Sequence, residues 1–126
     1  TGASRGIGRA TALELVHLGA TVHATSRLEF TLEGCTAHLL DHTDAKSVAR
    51  LCTSLAGTRF DGIVLNAGAL VNKPFRELSA EDFNAMAWAN WSGPALLVQE
   101  FLPLLAPGAH IVFISSTTNL INTSSN

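Results

Sequence analysis

A chain of 126 residues has the size of one domain and is long enough to bury a core. Only 14% of its residues are charged, against roughly 25% in an average soluble domain, and the net charge is −2 with the charges scattered singly. This excludes a basic nucleic-acid footprint and a polybasic membrane surface, and no uninterrupted apolar run is long enough to span a bilayer. Low charge beside 47% apolar residues suits elements covered on both faces, as in a parallel sheet between helices.

In chain order, the spacing predicts a helix from about Gly6 to Leu18, with Ile7, Ala10, Leu13 and Leu15 turned inward and Gly19 as its stop. Thr21 to Thr25 reads as a short strand, and Ser26 to Gly34 is too short and mixed for a helix. His38-Leu39-Leu40 reads as a second strand ended by Asp41. Asp44 then caps a helix over Ala45 to Leu55, where Val48, Leu51, Cys52 and Leu55 recur at helical spacing. Gly62 to Asn66 is a buried strand closed by Ala67-Gly68. Ser79 to Asp82 starts a helix with an acidic first turn. Its pattern runs on, bent at Gly93-Pro94, to Leu105, before Pro107-Gly108 breaks it. His110 to Ser115 is a last strand, and Ser115 to Asn126 reads as a loop.

Without repeats or a linker, residues 1–126 form one domain. Strand and helix alternate, which argues for right-handed βαβ units and an α/β fold with a parallel sheet. No basic and apolar leader is visible, and Cys35 and Cys52 have neither metal-ligand spacing nor disulfide density. The expectation is a cytoplasmic protein with reduced thiols, in which the sequons at Asn90 and Asn122 carry no meaning. His38 and His42 flank Asp41, but no third ligand is evident, so no metal site is expected. His17, His23 and His110 stand alone.

Thr1-Gly2-Ala3-Ser4-Arg5-Gly6-Ile7-Gly8 has glycines spaced G-x-x-x-G-x-G and opens a helix. Such glycines let backbone approach a pyrophosphate, while the helix N-terminus offers N–H groups and partial positive charge. The octet resembles the cofactor motif of the short-chain dehydrogenase/reductase family, T-G-x-x-x-G-x-G, and three further matches follow in order. Leu65-Asn66-Ala67-Gly68 is similar to the family's N-N-A-G, with Leu65 in place of the first Asn. Asn90, in Trp88-Ala89-Asn90-Trp91-Ser92-Gly93, sits where the family has its helix Asn. Ile111 to Ser116 resembles the fifth strand with the catalytic Ser at its end. Asp41 matches the acidic residue that, in the family, contacts the adenine amino group.

The resemblance spans essentially the whole chain and implies a Rossmann-type doubly wound parallel sheet. The chain would be an internal fragment, without the first strand, which lies centrally in the family's sheet, and without the C-terminal part. It also implies an oxidoreductase moving a hydride between a nicotinamide and a carbonyl or secondary alcohol. Ser116 would hold the carbonyl oxygen, with Ser115 its competitor, and Asn90 a water. Gly2, Ser4, Arg5, Gly6, Ile7 and Gly8 would bind phosphates and ribose, and Asn66, Ala67 and Gly68 would run along the cofactor. A homodimer or homotetramer is implied, with a small-molecule substrate and no nucleic-acid or membrane partner.

The choice of cofactor turns on the end of the strand at Thr21 to Thr25. An acidic residue there would favour NAD(H); Ser26 and Arg27 stand there instead. A hydroxyl beside a guanidinium suits the 2′-phosphate of NADP(H), and Arg5 adds a second cation. Glu29, two residues past Arg27, would reach the ribose if the loop folds back. The family's Tyr-x-x-x-Lys is not present, and the chain has no Tyr at all, so by itself it is expected to be inactive. The alternative is a non-catalytic dinucleotide-binding protein that senses redox state, though such a sensor needs neither Asn90 nor Ser116.

Overall fold

The computed structural model describes residues 1–116, so most of the expected terminal loop, from residue 117 on, lies outside the described residues. Strand β1 (Val22–Ser26) pairs in parallel with β2 (Cys35–Leu39), from Val22 opposite Cys35 to Ser26 opposite Leu39. Strand β3 (Phe60–Leu65) pairs in parallel with β4 (Leu105–Phe113). Residues 1–3 join the two pairs. The Thr1 nitrogen donates to Val64 O of β3 (2.7 Å) and Ala3 N donates to Thr25 O of β1 (2.9 Å). In a regular strand those two N–H groups would face the same neighbour; Gly2, at φ 68°, turns the chain between them. Because Thr25 and Val64 are each the penultimate residue of a strand, the carboxyl ends of both pairs lie together.

Behind that junction the edges of β1 and β3 stand apart around a cavity of about 860 Å³, lined in part by Val22, Ala24, Ile63, Val64, Leu97 and Phe101. This gap is where the family resemblance expects a central strand.

Helices cover both faces. Helix α1 (Gly6–His17) buries Ala12 against Ala3, Ala24 and Leu32 on one face. On the other, α2 (Ala45–Ser54) and α4 (Gly93–Phe101) bury Val48, Leu51, Leu97 and Phe101 with Leu40, Leu55 and Leu65. Asp44 caps α2 by accepting from Lys46 N at 3.0 Å. Helix α3 (Ala80–Ala87) starts where its sequence predicts, with Glu81 and Asp82 in its first turn, and the structure adds a reciprocal capping box between Ser79 and Asp82. Cys35 and Cys52 are unbonded, and burial pushes both thiols up from their ordinary range.

Among the strands, the starts of β2 and β4 differ most from expectation. Strand β2 begins at Cys35 rather than His38, because its solvent-facing residues at the sheet edge carry no apolar alternation. Strand β4 begins at Leu105: the pairing jumps from Phe60–Leu105 to Gly62–His110, so Pro107-Gly108 sits in an irregularity of the strand instead of preceding it. Pro107 has no N–H to give the ladder, and Gly108 is at φ 81°.

His23 does not stand alone. Its Nδ1 lies 2.9 Å from His38 Nε2, the ring planes are within 15° of each other, and Phe60 meets His23 edge-on. The register sets Thr25 opposite His38, which brings His23 diagonally across on the same face. Burial, then the charge of His23, hold His38 below its ordinary 6.5. Below that value the unfolded chain takes up a proton that the folded one still refuses, so stability should fall as pH drops and level off under the native pKa. The denaturation midpoint should therefore be lower at about pH 5 than at about pH 7.5, and His38→Gln should shrink the difference. An equal drop in the variant would assign the effect to other groups.

Candidate functional site

Helix α1 starts directly after the glycine-rich turn. Its N-cap, Arg5, is extended, no side chain caps the helix, and no acidic residue stands in the first turn. The first N–H groups of α1 are thus open to an anion. The three glycines serve different needs. Gly6 is at φ 58°, and a Cβ there would meet nothing within 4 Å, so it opens outward. A Cβ on Gly2 would lie 3.0 Å from Ala67 Cα, and one on Gly8 2.4 Å from Asn66 Nδ2 and 2.5 Å from Gly2 O. Since Gly2 O is backbone, it cannot swing away. Gly8→Ala should lower stability by roughly 1–3 kcal/mol as the turn is forced apart. An unchanged melting temperature would mean that the turn yields freely.

The turn is stitched to the end of β3. Thr1 Oγ1 accepts from Asn66 N (3.0 Å) and Ala67 N (2.9 Å), and Asn66 Nδ2 donates to Thr1 O (3.0 Å). Asn66 is therefore architectural here, and it aligns Ala67 and Gly68 beside the turn. Asn90 grips the next residue: its Nδ2 donates to Ala69 O (2.8 Å) and its Oδ1 accepts from Ala69 N (2.9 Å). A Cβ on Gly68 would lie 2.7 Å from Asn90 Oδ1. The side-chain amide of Asn90 is thus engaged by the backbone of Ala69 on both its nitrogen and its oxygen.

The remaining predicted residues gather at the same end. Ser26, 8% exposed, donates from its hydroxyl to Ser4 Oγ (3.1 Å) and accepts from Leu28 N (3.3 Å), tying β1 to the glycine-rich turn. Arg5 and Arg27 are exposed. Asp41 shapes the turn after β2, where its Oδ1 accepts from Thr43 Oγ1 (2.6 Å) and Thr43 N (2.9 Å). The Thr43 hydroxyl above all, with help from the Thr43 N–H and the Arg27 charge, holds its carboxyl below the usual carboxylate range. Ile114 N donates to Leu65 O (2.9 Å), carrying the ladder past β4, and Ser115 and Ser116 follow directly after it at the carboxyl end of that strand pair. Among the described residues no cluster of three or more His, Cys, Asp or Glu could hold a metal ion.

Three site residues escaped the sequence. The Thr1 hydroxyl looked like part of the motif only. Trp88 Nε1 donates to Thr43 O (2.7 Å), and His42 Nε2 bonds Ala89 O (2.8 Å). Such contacts, more than forty residues apart in the chain, leave no periodic trace.

A glycine-rich helix start, its stitched partner loop and parallel strand ends converging on one edge together define a dinucleotide-binding α/β unit. The chain belongs to the short chain dehydrogenase family, whose family model matches residues 1–125. It is similar to an NADPH-dependent pterin aldehyde reductase of Arabidopsis thaliana, 35% identical over 132 residues, covering 94% of this chain and 54% of that protein. It is also similar to a chloroplastic tropinone reductase homolog of the same plant, 30% identical, covering 97% of this chain and 43% of that one. Among solved structures it is similar to a carbonyl reductase from Pseudomonas aeruginosa in complex with NADP. The TM-score is 0.83 and the identity 25%, over 93% of this chain and 59% of that one. The chain thus spans about half the length of the curated relatives it matches. No helix among the described residues is long and apolar enough to cross a membrane.

Proposed function

We propose that this chain is the dinucleotide-binding part of an NADP(H)-dependent oxidoreductase acting on a carbonyl or secondary alcohol. One observation carries the reading: the uncapped start of α1, with no acidic residue in its first turn, is stitched through Thr1 and Asn66 to the loop at the end of β3. The residues fit the cofactor, because the close contacts of Gly2 and Gly8 keep side chains out of the turn while Gly6 opens onto empty space. Bound NADP(H) would supply or accept the hydride.

The N–H groups at Gly6, Ile7 and Gly8 would hold the diphosphate, with Gly2 and Ser4 shaping the turn around it. Arg5, Ser26 and Arg27 would meet the 2′-phosphate, and Asp41 the adenine amino group. Asn66, Ala67 and Gly68 would line the path towards the nicotinamide, with Asn90 fixing that loop through Ala69. Ser116 would donate to the substrate oxygen where charge develops. Family membership, an NADPH-dependent relative and an NADP-bound neighbour support the reading.

A full-length protein carrying this chain should bind NADPH more tightly than NADH and reduce members of a ketone and aldehyde panel. Equal or absent binding of the two cofactors would overturn it. The chain alone contains no Tyr, and general acid/base help is worth roughly 10²–10⁴ in rate. Purified chain mixed with NADPH and the same panel should therefore leave the nicotinamide absorbance unchanged. Turnover by the chain would remove Tyr from the proposed chemistry.

A further inference from the structure

In an α-helix each carbonyl accepts from the N–H four residues on. Between α3 and α4 the chain makes a π-turn, Trp88–Ser92, and Gly93 N–H reaches back five residues to Trp88 O. Ala89 O is thereby left with neither helical partner. The N–H that an α-helix would give it, that of Gly93, is engaged by Trp88, and the residue five positions on is Pro94, which has none. Ala89 is 7% exposed, so solvent is a poor substitute.

The donor comes from another element. His42, also 7% exposed, lies on the turn after β2, 47 residues earlier, with its Nε2 2.8 Å from Ala89 O. A carbonyl oxygen only accepts, so Nε2 carries the hydrogen. Gly93 makes the room: a Cβ there would stand 2.6 Å from His42 O and 2.7 Å from His42 Cδ2. The Trp88 bond to Thr43 O is a second stitch between the same two turns. The residue after Ala89 is Asn90, whose amide grips Ala69 next to Gly68.

We propose that His42 is a positioning residue of the cofactor site. By supplying the hydrogen bond that the π-turn and Pro94 deny to Ala89, it fixes the turn from which Asn90 holds Ala69, the residue that follows Asn66, Ala67 and Gly68. It joins the Asp41 turn, at the adenine end of the proposed cofactor path, to the loop at the nicotinamide end. The inference rests on the reading of that loop as cofactor-lining.

The test uses a full-length protein carrying this chain, with His42→Leu, which cannot donate, and His42→Gln, whose amide can. The first readout is amide hydrogen exchange at Ala69, whose N–H bonds Asn90 Oδ1. It should quicken by about tenfold or more in His42→Leu and stay near wild type in His42→Gln, as loss of one buried hydrogen bond requires. The second is the NADPH dissociation constant, expected to rise about tenfold in His42→Leu and to rise no further when His42→Leu is added to Asn90→Ala. A purely structural role would lower the melting temperature and leave both readouts unmoved. Unchanged Ala69 exchange in folded His42→Leu, or effects of the two substitutions that multiply, overturns the proposal. Faster Ala69 exchange with unaltered NADPH affinity overturns the cofactor-lining reading, and with it the role of His42 in binding. If His42→Leu does not fold, His42→Asn, whose amide is too short to reach Ala89, replaces it and must show the same contrast with His42→Gln.

Discussion

Replacing Ser116 by Ala in a full-length protein carrying this chain should lower kcat by a factor of about 10²–10³, the usual loss for one donor aimed at a developing oxyanion. NADPH affinity should barely change, because the hydroxyl would address substrate and not cofactor. The neighbouring Ser115 supplies the internal comparison. The ladder bond from Ile114 N to Leu65 O shows that the backbone is still strand-like just before the pair. On extended backbone adjacent side chains point to opposite faces, so only one of the two hydroxyls can face the nicotinamide. Ser115→Ala should be milder, its cost falling on stability or cofactor binding. The reverse pattern in a side-by-side kinetic assay would move the role to Ser115.

The double change Ser26→Asp with Arg27→Ala should turn a preference for NADPH into one for NADH. The NADPH/NADH ratio of kcat/KM should fall by about 10²–10⁴, from losing the charge-assisted Arg27 contact and placing a carboxylate against the phosphate. Local structure should survive. Ser26 now donates to Ser4 Oγ; an Asp there would instead accept from the Ser4 hydroxyl, so the stitch between β1 and the glycine-rich turn reverses direction without being lost. Arg27 is exposed, and its removal leaves no cavity. An unchanged ratio would show that this loop does not contact the 2′-phosphate and would redirect attention to Glu29.

What the sequence determined by itself is whatever local pattern can encode. Helical spacing placed the ends of α1 and α2 to within a residue or two, although Ile7 and Ala10, expected to turn inward, are exposed and α1 buries Gly8 and Ala12 instead. The acidic helix start at Ser79 to Asp82 announced α3, and the order of four short motifs announced the family. Those motifs also singled out Asn66, Asn90, Ser115 and Ser116 as candidates. The tertiary structure alone decided what those side chains do. Asn90 turns to Ala69, His23 finds His38, and His42 reaches Ala89, each across 15 to 47 residues of chain. These partners follow from strand register and from how the π-turn packs against the turn after β2. One residue of slippage would exchange the faces and break every such contact. Periodicity records which face of an element is apolar, whereas a hydrogen bond between elements depends on their mutual placement, and only the packed core sets that.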